Sequence, residues 1–74
     1  MLLLFHLDTF DVCDGWDTDP FKAVRDGNRL YGLGSHDMKA GGACILGALE
    51  AIVQSGTKLG GRLYVVATAD EENW

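Results

Sequence analysis

Three short groups of imidazole and carboxylate side chains have the types and spacing of a metal-binding site. The first is His6 with Asp8, the second is Asp37, and the third is the run of Asp70, Glu71 and Glu72. Imidazole and carboxylate ligands together suit zinc, with cobalt or manganese as alternatives. Each group also has an ordinary structural explanation, so the interpretation depends on whether the fold brings the groups together.

His6 and Asp8 are two positions apart at the end of an apolar run. On an extended chain such positions face the same side. The carboxylate of Asp8 would then accept a hydrogen bond from one imidazole nitrogen of His6 and leave the other nitrogen for a metal. The ordinary alternative is a solvated histidine followed by a turn aspartate.

Asp37 lies directly before an apolar helical pattern. An aspartate at this place is most often a helix N-cap. The functional alternative is a carboxylate whose two oxygens bridge two metal ions. The adjacent His36 need not point to the same place, and Lys39 is interpreted as a charge on the helix surface.

Asp70, Glu71 and Glu72 are three consecutive acids after a second apolar run. Consecutive carboxylates repel one another unless they are solvated or neutralised by a cation. In a surface loop water is sufficient, whereas at the mouth of a sheet a metal explains them better. One acid would then be a ligand and another a general base.

The elements that must position these groups follow a strand–helix–strand order. Residues 2–7 are an apolar run typical of a strand buried on both faces, and residues 62–69 are a second β-rich run. Between them, an apolar stripe predicts a helix over residues 38–54, ended by Ser55 and Gly56. This order predicts a parallel βαβ unit, in which the carboxyl ends of both strands lie at one edge of the sheet.

Other segments have structural interpretations. The glycines of the helix indicate that it approaches the sheet closely, and Cys44 within it is interpreted as a small core residue. Residues 9–26 are predicted to be irregular, and residues 29–31 to be a brief extended piece. Three aromatic side chains are expected to anchor the long loop by packing: Trp16, Phe21 and Tyr31.

Composition limits the function classes. The 74 residues, 47% hydrophobic and 23% charged, predict one small globular domain and not a disordered tail. A net charge of −5 argues against nucleic acid or an anionic membrane as partner. Two cysteines without a CxxC pattern favour a reduced, cytoplasmic protein, and no run has the signal-peptide or membrane-spanning pattern.

Taken in order, the motifs resemble those of the M20 metallopeptidase family over essentially the whole chain. The final acidic block and the Gly-Leu-Gly before Asp37 are most similar to the acetylornithine deacetylase and succinyl-diaminopimelate desuccinylase subfamily. The sequence departs from the family pattern at Phe5, where glycine is common, and at Phe10-Asp11, where Val-Pro is usual. The matching blocks are His6-Leu7-Asp8-Thr9, Gly15-Trp16, Asp19-Pro20-Phe21, Asp26-Gly27, Leu30-Tyr31-Gly32-Leu33-Gly34, Asp37-Met38-Lys39 and Ala67-Thr68-Ala69-Asp70-Glu71-Glu72.

The resemblance implies an α/β fold. Residues 1–74 would be the βαβ portion of a three-layer α/β/α zinc-peptidase-like catalytic domain with a parallel-rich sheet. The lid or dimerisation domain and the C-terminal catalytic part of that family would be absent. One helix covers only one face of a sheet, so we expect apolar surface to stay exposed on the other.

The resemblance also implies a two-zinc site. His6 would bind one zinc, Asp37 would bridge both and Glu72 would bind the second, while Glu71 would be the general base and Asp8 would orient His6. A cis peptide bond after Asp37 is also expected.

The reaction implied by the resemblance is hydrolysis of an amide of an N-acyl amino acid or small peptide by metal-activated water. The chain alone is expected to be inactive, because the family pattern has further ligands that this sequence lacks. The resemblance implies a small-molecule substrate as the partner, and a homodimer only for a longer protein.

Two other function classes remain open at this point. One is a noncatalytic relative that acts through protein association over its uncovered sheet face. The other is a phosphate- or nucleotide-binding βαβ domain. Gly32-Leu33-Gly34 lacks the third spaced glycine of a dinucleotide fingerprint, and acids at the strand ends would repel phosphate, so we favour the metal site.

Overall fold

The computed structural model describes residues 1–73. The predicted first strand, helix and last strand are confirmed, each with ends within two residues of the predicted ones. The helix begins later than predicted, because an irregular helical turn precedes it. The elements are β1 (Leu2–His6), β2 (Val24–Asp26), β3 (Arg29–Tyr31), the turn Ser35–Lys39, α1 (Ala40–Ser55) and β4 (Tyr64–Thr68).

β1 and β4 form a two-stranded parallel sheet, and α1 lies between them in sequence. The register runs from Leu2 opposite Tyr64 to His6 opposite Thr68. The carboxyl ends of both strands therefore meet at one edge, as the sequence predicts. The chain is a small α/β unit with one parallel strand pair and one helix among its described residues.

β2 and β3 form an antiparallel hairpin in which Asp26 is opposite Arg29. The prediction that residues 9–26 are irregular is therefore wrong for the last three of them. β2 is too short to show an alternating pattern. The available signal was the Gly27-Asn28 pair, a two-residue connection typical of hairpins.

α1 packs against β1 at a glycine. Gly42 is buried, and a Cβ atom there would lie only 2.6 Å from Cδ2 of Phe5. Only a residue without a side chain allows the backbone of α1 to come this close, which confirms the predicted close approach. The helix ends at Gly56, whose left-handed φ of 66° lets its N–H bond to the Val53 carbonyl at 3.2 Å.

The second face of the β1–β4 sheet is uncovered. Leu2 and Leu4, which alternate with the buried Phe5, are 59% and 49% exposed. The prediction that β1 is buried on both faces is therefore wrong for this chain, and the prediction of exposed apolar surface on one face is confirmed. The chain measures 47 × 35 × 12 Å, and its radius of gyration of 15.4 Å exceeds the roughly 11 Å of a compact domain of this length.

Two packing predictions are wrong. Cys44 is exposed, because α1 packs mainly against β1 and the Ser35–Lys39 turn, which leaves much of the helix in solvent. Phe21 is exposed as well, whereas Trp16 and Tyr31 are half-buried.

None of the described helices has the length and apolar character needed to cross a membrane.

Candidate metal centre

The carboxyl-end edge of the β1–β4 sheet brings the predicted site residues together. His6 is the last residue of β1, and Glu71 and Glu72 lie just beyond β4. Asp37 lies in the turn that leads into α1. The imidazole of His6 is only 6% exposed, so the site is built around a buried histidine.

The Nε2 atom of His6 faces three carboxylates. It lies 3.2 Å from Oδ1 of Asp37, 3.8 Å from Oε2 of Glu71 and 4.0 Å from Oε1 of Glu72. His6, Glu71 and Glu72 each offer one ligand atom, and these three atoms lie within 4.8 Å of one another. Asp37 is not part of that trio, and its contact with the group is the one to His6.

The other imidazole nitrogen fixes the tautomer. Nδ1 of His6 lies 3.1 Å from the main-chain carbonyl oxygen of Asp8. A carbonyl oxygen only accepts hydrogen bonds, so Nδ1 carries a proton. The protonated imidazolium donates from Nε2 to Oδ1 of Asp37. When Nε2 loses its proton, its lone pair points toward the carboxylates, which is the form that binds a metal.

The carboxylate of Asp8 does not make the contact expected from the sequence. Its Oδ1 is 3.7 Å from Nδ1 of His6, whereas its Oδ2 accepts the Glu72 N–H at 2.8 Å. The main chain of Asp8 is thus the hydrogen-bond partner of His6, and the side chain of Asp8 bonds to the loop after β4. The Glu72 N–H lowers the pKa of Asp8, and this effect outweighs burial, which acts in the opposite direction.

The pKa values of His6 and Glu72 are both raised, for different reasons. Burial by itself lowers the pKa of His6, but bonds to the Asp8 carbonyl and Asp37, with the charges of Glu71 and Glu72, outweigh it and raise the pKa above its ordinary value. The pKa of Glu72 is raised, first by burial and then by the charge of Asp37. The site therefore concentrates negative charge that a cation would neutralise.

Several buried polar atoms at this edge lack a hydrogen-bond partner in the described part of the chain. They are Oε1 of Glu72, Oδ1 of Asp8 and Oγ1 of Thr68. Because the Glu72 side chain is only 7% exposed, leaving its oxygen unpaired is costly unless a cation completes its environment. One imidazole and several carboxylates are a donor set that zinc accepts, so these residues fit the implied metal.

Neighbouring candidates have other roles. Asp70 lies apart from the trio, and its Oδ1 accepts a hydrogen bond from the side chain of Asn73 at 2.6 Å. His36 is exposed and contacts no acid among residues 1–73.

Asp37 makes no side-chain cap to α1, so the N-cap explanation does not hold. The Asp37–Met38 peptide bond is cis, as the resemblance leads one to expect.

The sequence interpretation missed the role of Lys39. Its Nζ atom donates a hydrogen bond to the main-chain carbonyl of Leu7 at 2.8 Å. A lysine on a helix surface and a lysine that bonds to a strand end have the same sequence pattern, so only the closeness of Lys39 to Asp37 in sequence was a signal.

Leu7 also borders an open, mainly apolar cavity of about 720 Å³, which includes Asp8 but none of the trio.

Comparison with known proteins agrees with the motifs. Residues 2–74 match the family described as Peptidase family M20/M25/M40. Acetylornithine deacetylases of Pectobacterium carotovorum and Pectobacterium atrosepticum are each 52% identical over 73 residues, and that of Salmonella arizonae is 49% identical over 73 residues. Each alignment covers 97% of this chain and 18% of the relative. No solved structure matches the chain at a significant level.

The chain thus spans less than a fifth of the length of these relatives. The family match nevertheless extends over nearly every residue and includes all three acidic and imidazole groups. This match and the identity to the deacetylases show that the chain belongs to Peptidase family M20/M25/M40, whose members are generally metal-dependent hydrolases.

Proposed function

We propose that this chain supplies part of the metal centre of an amide hydrolase acting on N-acyl amino acids or small peptides. The observation that carries the proposal is the convergence of three carboxylates on Nε2 of the buried His6. The substrate class is supported by the relatives, which are named acetylornithine deacetylases.

In this proposal His6 and Glu72 are metal ligands, and Asp37 bridges two ions. The ions are zinc, with cobalt or manganese as alternatives that the same donor set accepts. Bound zinc would supply Lewis acidity that polarises the amide carbonyl and acidifies water in the site. The main-chain carbonyl of Asp8 keeps the imidazole of His6 in the tautomer that binds metal.

Glu71 is the general base in this proposal. Its side chain is 50% exposed, in contrast to the buried Glu72, so water and substrate can reach its carboxylate. A general base must lie within hydrogen-bond reach of the proton that it removes. Glu71 would take a proton from the attacking water and deliver it to the leaving amine.

The proposed setting is a longer cytoplasmic protein that binds a small-molecule substrate, with a homodimer as its assembly. Both cysteines are free in the structure, which suits a reducing compartment. In this chain Asp37 and Glu71 are open to solvent, so the site does not exclude water. We therefore expect the chain alone to bind metal without turning over substrate.

Calorimetric titration of the 74-residue chain with zinc tests the proposal. Loss of an outer-shell partner typically weakens metal binding about 10–100-fold, and we expect His6→Ala and Asp37→Ala to exceed that range because each removes a ligand. His36→Ala is the matched control, since it removes the neighbouring exposed imidazole. It should leave zinc affinity unchanged.

The decisive contrary result is a chain that is folded by circular dichroism and binds no zinc. A second contrary result is equal loss of affinity in His6→Ala and His36→Ala, which would mean nonspecific imidazole binding. Either outcome would favour the alternative of a noncatalytic relative that acts through protein association.

A further inference from the structure

The peptide unit of Leu7 joins segments that carry the site. Its N–H donates to the carbonyl of Thr68, the last residue of β4, at 2.9 Å. Its carbonyl accepts from Nζ of Lys39, the last residue of the turn that contains Asp37, at 2.8 Å. Leu7 itself follows His6 directly, so its position affects the imidazole.

These two bonds differ in what determines them. The bond to Thr68 continues the main-chain ladder of β1 and β4, which forms whatever the side chains are. The bond from Lys39 depends on one side chain. Within residues 1–73, side-chain hydrogen bonds link the turn to the end of β1 at two places, His6 to Asp37 and Lys39 to Leu7.

The first of those links is lost when both of its members bind metal, because a ligand atom cannot also keep its imidazole–carboxylate hydrogen bond. The Lys39–Leu7 bond uses no proposed ligand atom and is therefore compatible with a loaded site. It is the side-chain link that would still hold the turn against the end of β1.

The local backbone leaves room for this lysine. Gly34 has a left-handed φ of 75°, and a Cβ atom there would lie 2.8 Å from Nζ of Lys39 and would also collide with Cγ2 of Thr9. The amide of Lys39 donates to the Gly34 carbonyl at 3.0 Å, so a main-chain hydrogen bond connects the two ends of the turn. No carboxylate of residues 1–73 lies within 4.0 Å of that ammonium, so its partner is the carbonyl.

We propose that Lys39 is a positioning residue whose bond to the Leu7 carbonyl sets the spacing between His6 and Asp37. Its consequence for metal affinity rests on the proposed function. The spacing itself is a property of the metal-free chain and is measurable without a metal.

The test compares Lys39→Met, which cannot donate, with Lys39→Arg, which can. The matched control is Lys58→Met, which removes the same charge beyond the C-terminal end of α1. In the metal-free chain, the imidazole ¹⁵N resonances of His6 report the hydrogen bond of Nε2 to Asp37. In a cobalt titration, the visible absorption reports ligand geometry and affinity.

We expect Lys39→Met to shift the Nε2 resonance, alter the cobalt spectrum and lower cobalt affinity about 10-fold, the lower end of the outer-shell range, because the lysine is exposed. Lys39→Arg should restore all three signals, and Lys58→Met should change none of them.

Unchanged imidazole resonances in Lys39→Met would overturn the proposal, as would equal effects of Lys39→Met and Lys58→Met. If the unsubstituted chain takes up no cobalt, the proposed metal function fails. The ¹⁵N resonances of the metal-free variants would still decide the role of Lys39.

Discussion

The carboxyl-end edge of the β1–β4 sheet and the helix-free face of the same sheet have opposite patterns of burial. At the edge, the imidazole of His6 and the carboxylate of Glu72 are buried. On the face, Leu2 and Leu4 are exposed beside Tyr64 and Val66. Small proteins usually show the reverse, with leucine inside and carboxylates outside.

Both sides of this comparison are unfavourable for the free energy of the metal-free chain. Burying carboxylates near one another costs free energy, and leaving leucines in water gains none of the roughly 25 cal/mol per Å² that burial provides. The metal-free chain therefore has two unfavourable features at once. A cation would remove the first of them, and that is a physical reason to expect metal binding and folding to be coupled.

The largest expected effect concerns the covered face. Phe5 is 7% exposed and packs against Gly42, so Phe5→Ala is expected to cost about 3–5 kcal/mol. A chain of this length typically has about 4–11 kcal/mol of stability in total, so the variant would lose a large part of it. Leu4→Ala, on the same strand but on the helix-free face, is expected to cost about 1 kcal/mol or less.

Urea unfolding followed by circular dichroism measures both changes. Both substitutions leave alanine on β1, so most of the difference between them reports the packing against α1. Equal losses of stability would mean that the helix-free face is covered in solution, for example by a second copy of the chain.

A smaller effect separates the two glutamates of the edge. Glu72→Gln removes a buried charge and is expected to raise the melting temperature of the metal-free chain, while weakening zinc binding by more than the roughly 10–100-fold of an outer-shell change. Glu71→Gln removes a half-exposed charge, so both changes should be much smaller. Thermal unfolding with and without zinc measures them, and identical behaviour of the two variants would contradict the assigned roles.

The sequence predicted the framework of this site because periodicity and parallel topology are sufficient for it. An apolar run, a helical stripe and a second apolar run place three groups of residues at one edge. The structure brings His6 into contact with Asp37 and near Glu71 and Glu72, and the cis bond after Asp37 follows the family pattern.

The sequence did not predict which atoms make the contacts. A carboxylate and a carbonyl of the same Asp8 are equally plausible partners for an imidazole two residues earlier, and the choice depends on the loop after β4. Likewise, helix periodicity cannot show that Cys44 faces no second layer. Such outcomes depend on residues distant in sequence, whereas local patterns report only neighbours.

The smallest expected effect is the pH dependence of folding stability, which the titrating groups of the edge produce and the apolar face does not. The pKa of His6 is raised above 6.5, so the folded metal-free chain holds a proton that the unfolded chain has lost. This contribution to stability is complete below pH 6.5 and is lost as the pH rises through the raised pKa. The raised pKa of Glu72 acts with the same sign from 4.5 upward. Asp8, with its lowered pKa, instead contributes stability above 3.8 that is lost as the pH falls through the folded pKa.

Zinc reverses the sign, because protons compete with the metal for His6 and Glu72. Between about pH 5 and 8, the urea midpoint should fall with rising pH in the metal-free chain and rise with pH when zinc is present. His6→Ala should weaken both trends, whereas His36→Ala should keep them and Leu4→Ala should shift the curves without changing their slopes. A metal-free chain whose stability rises over this range would mean that the imidazole of His6 is not held by the carboxylates of the edge.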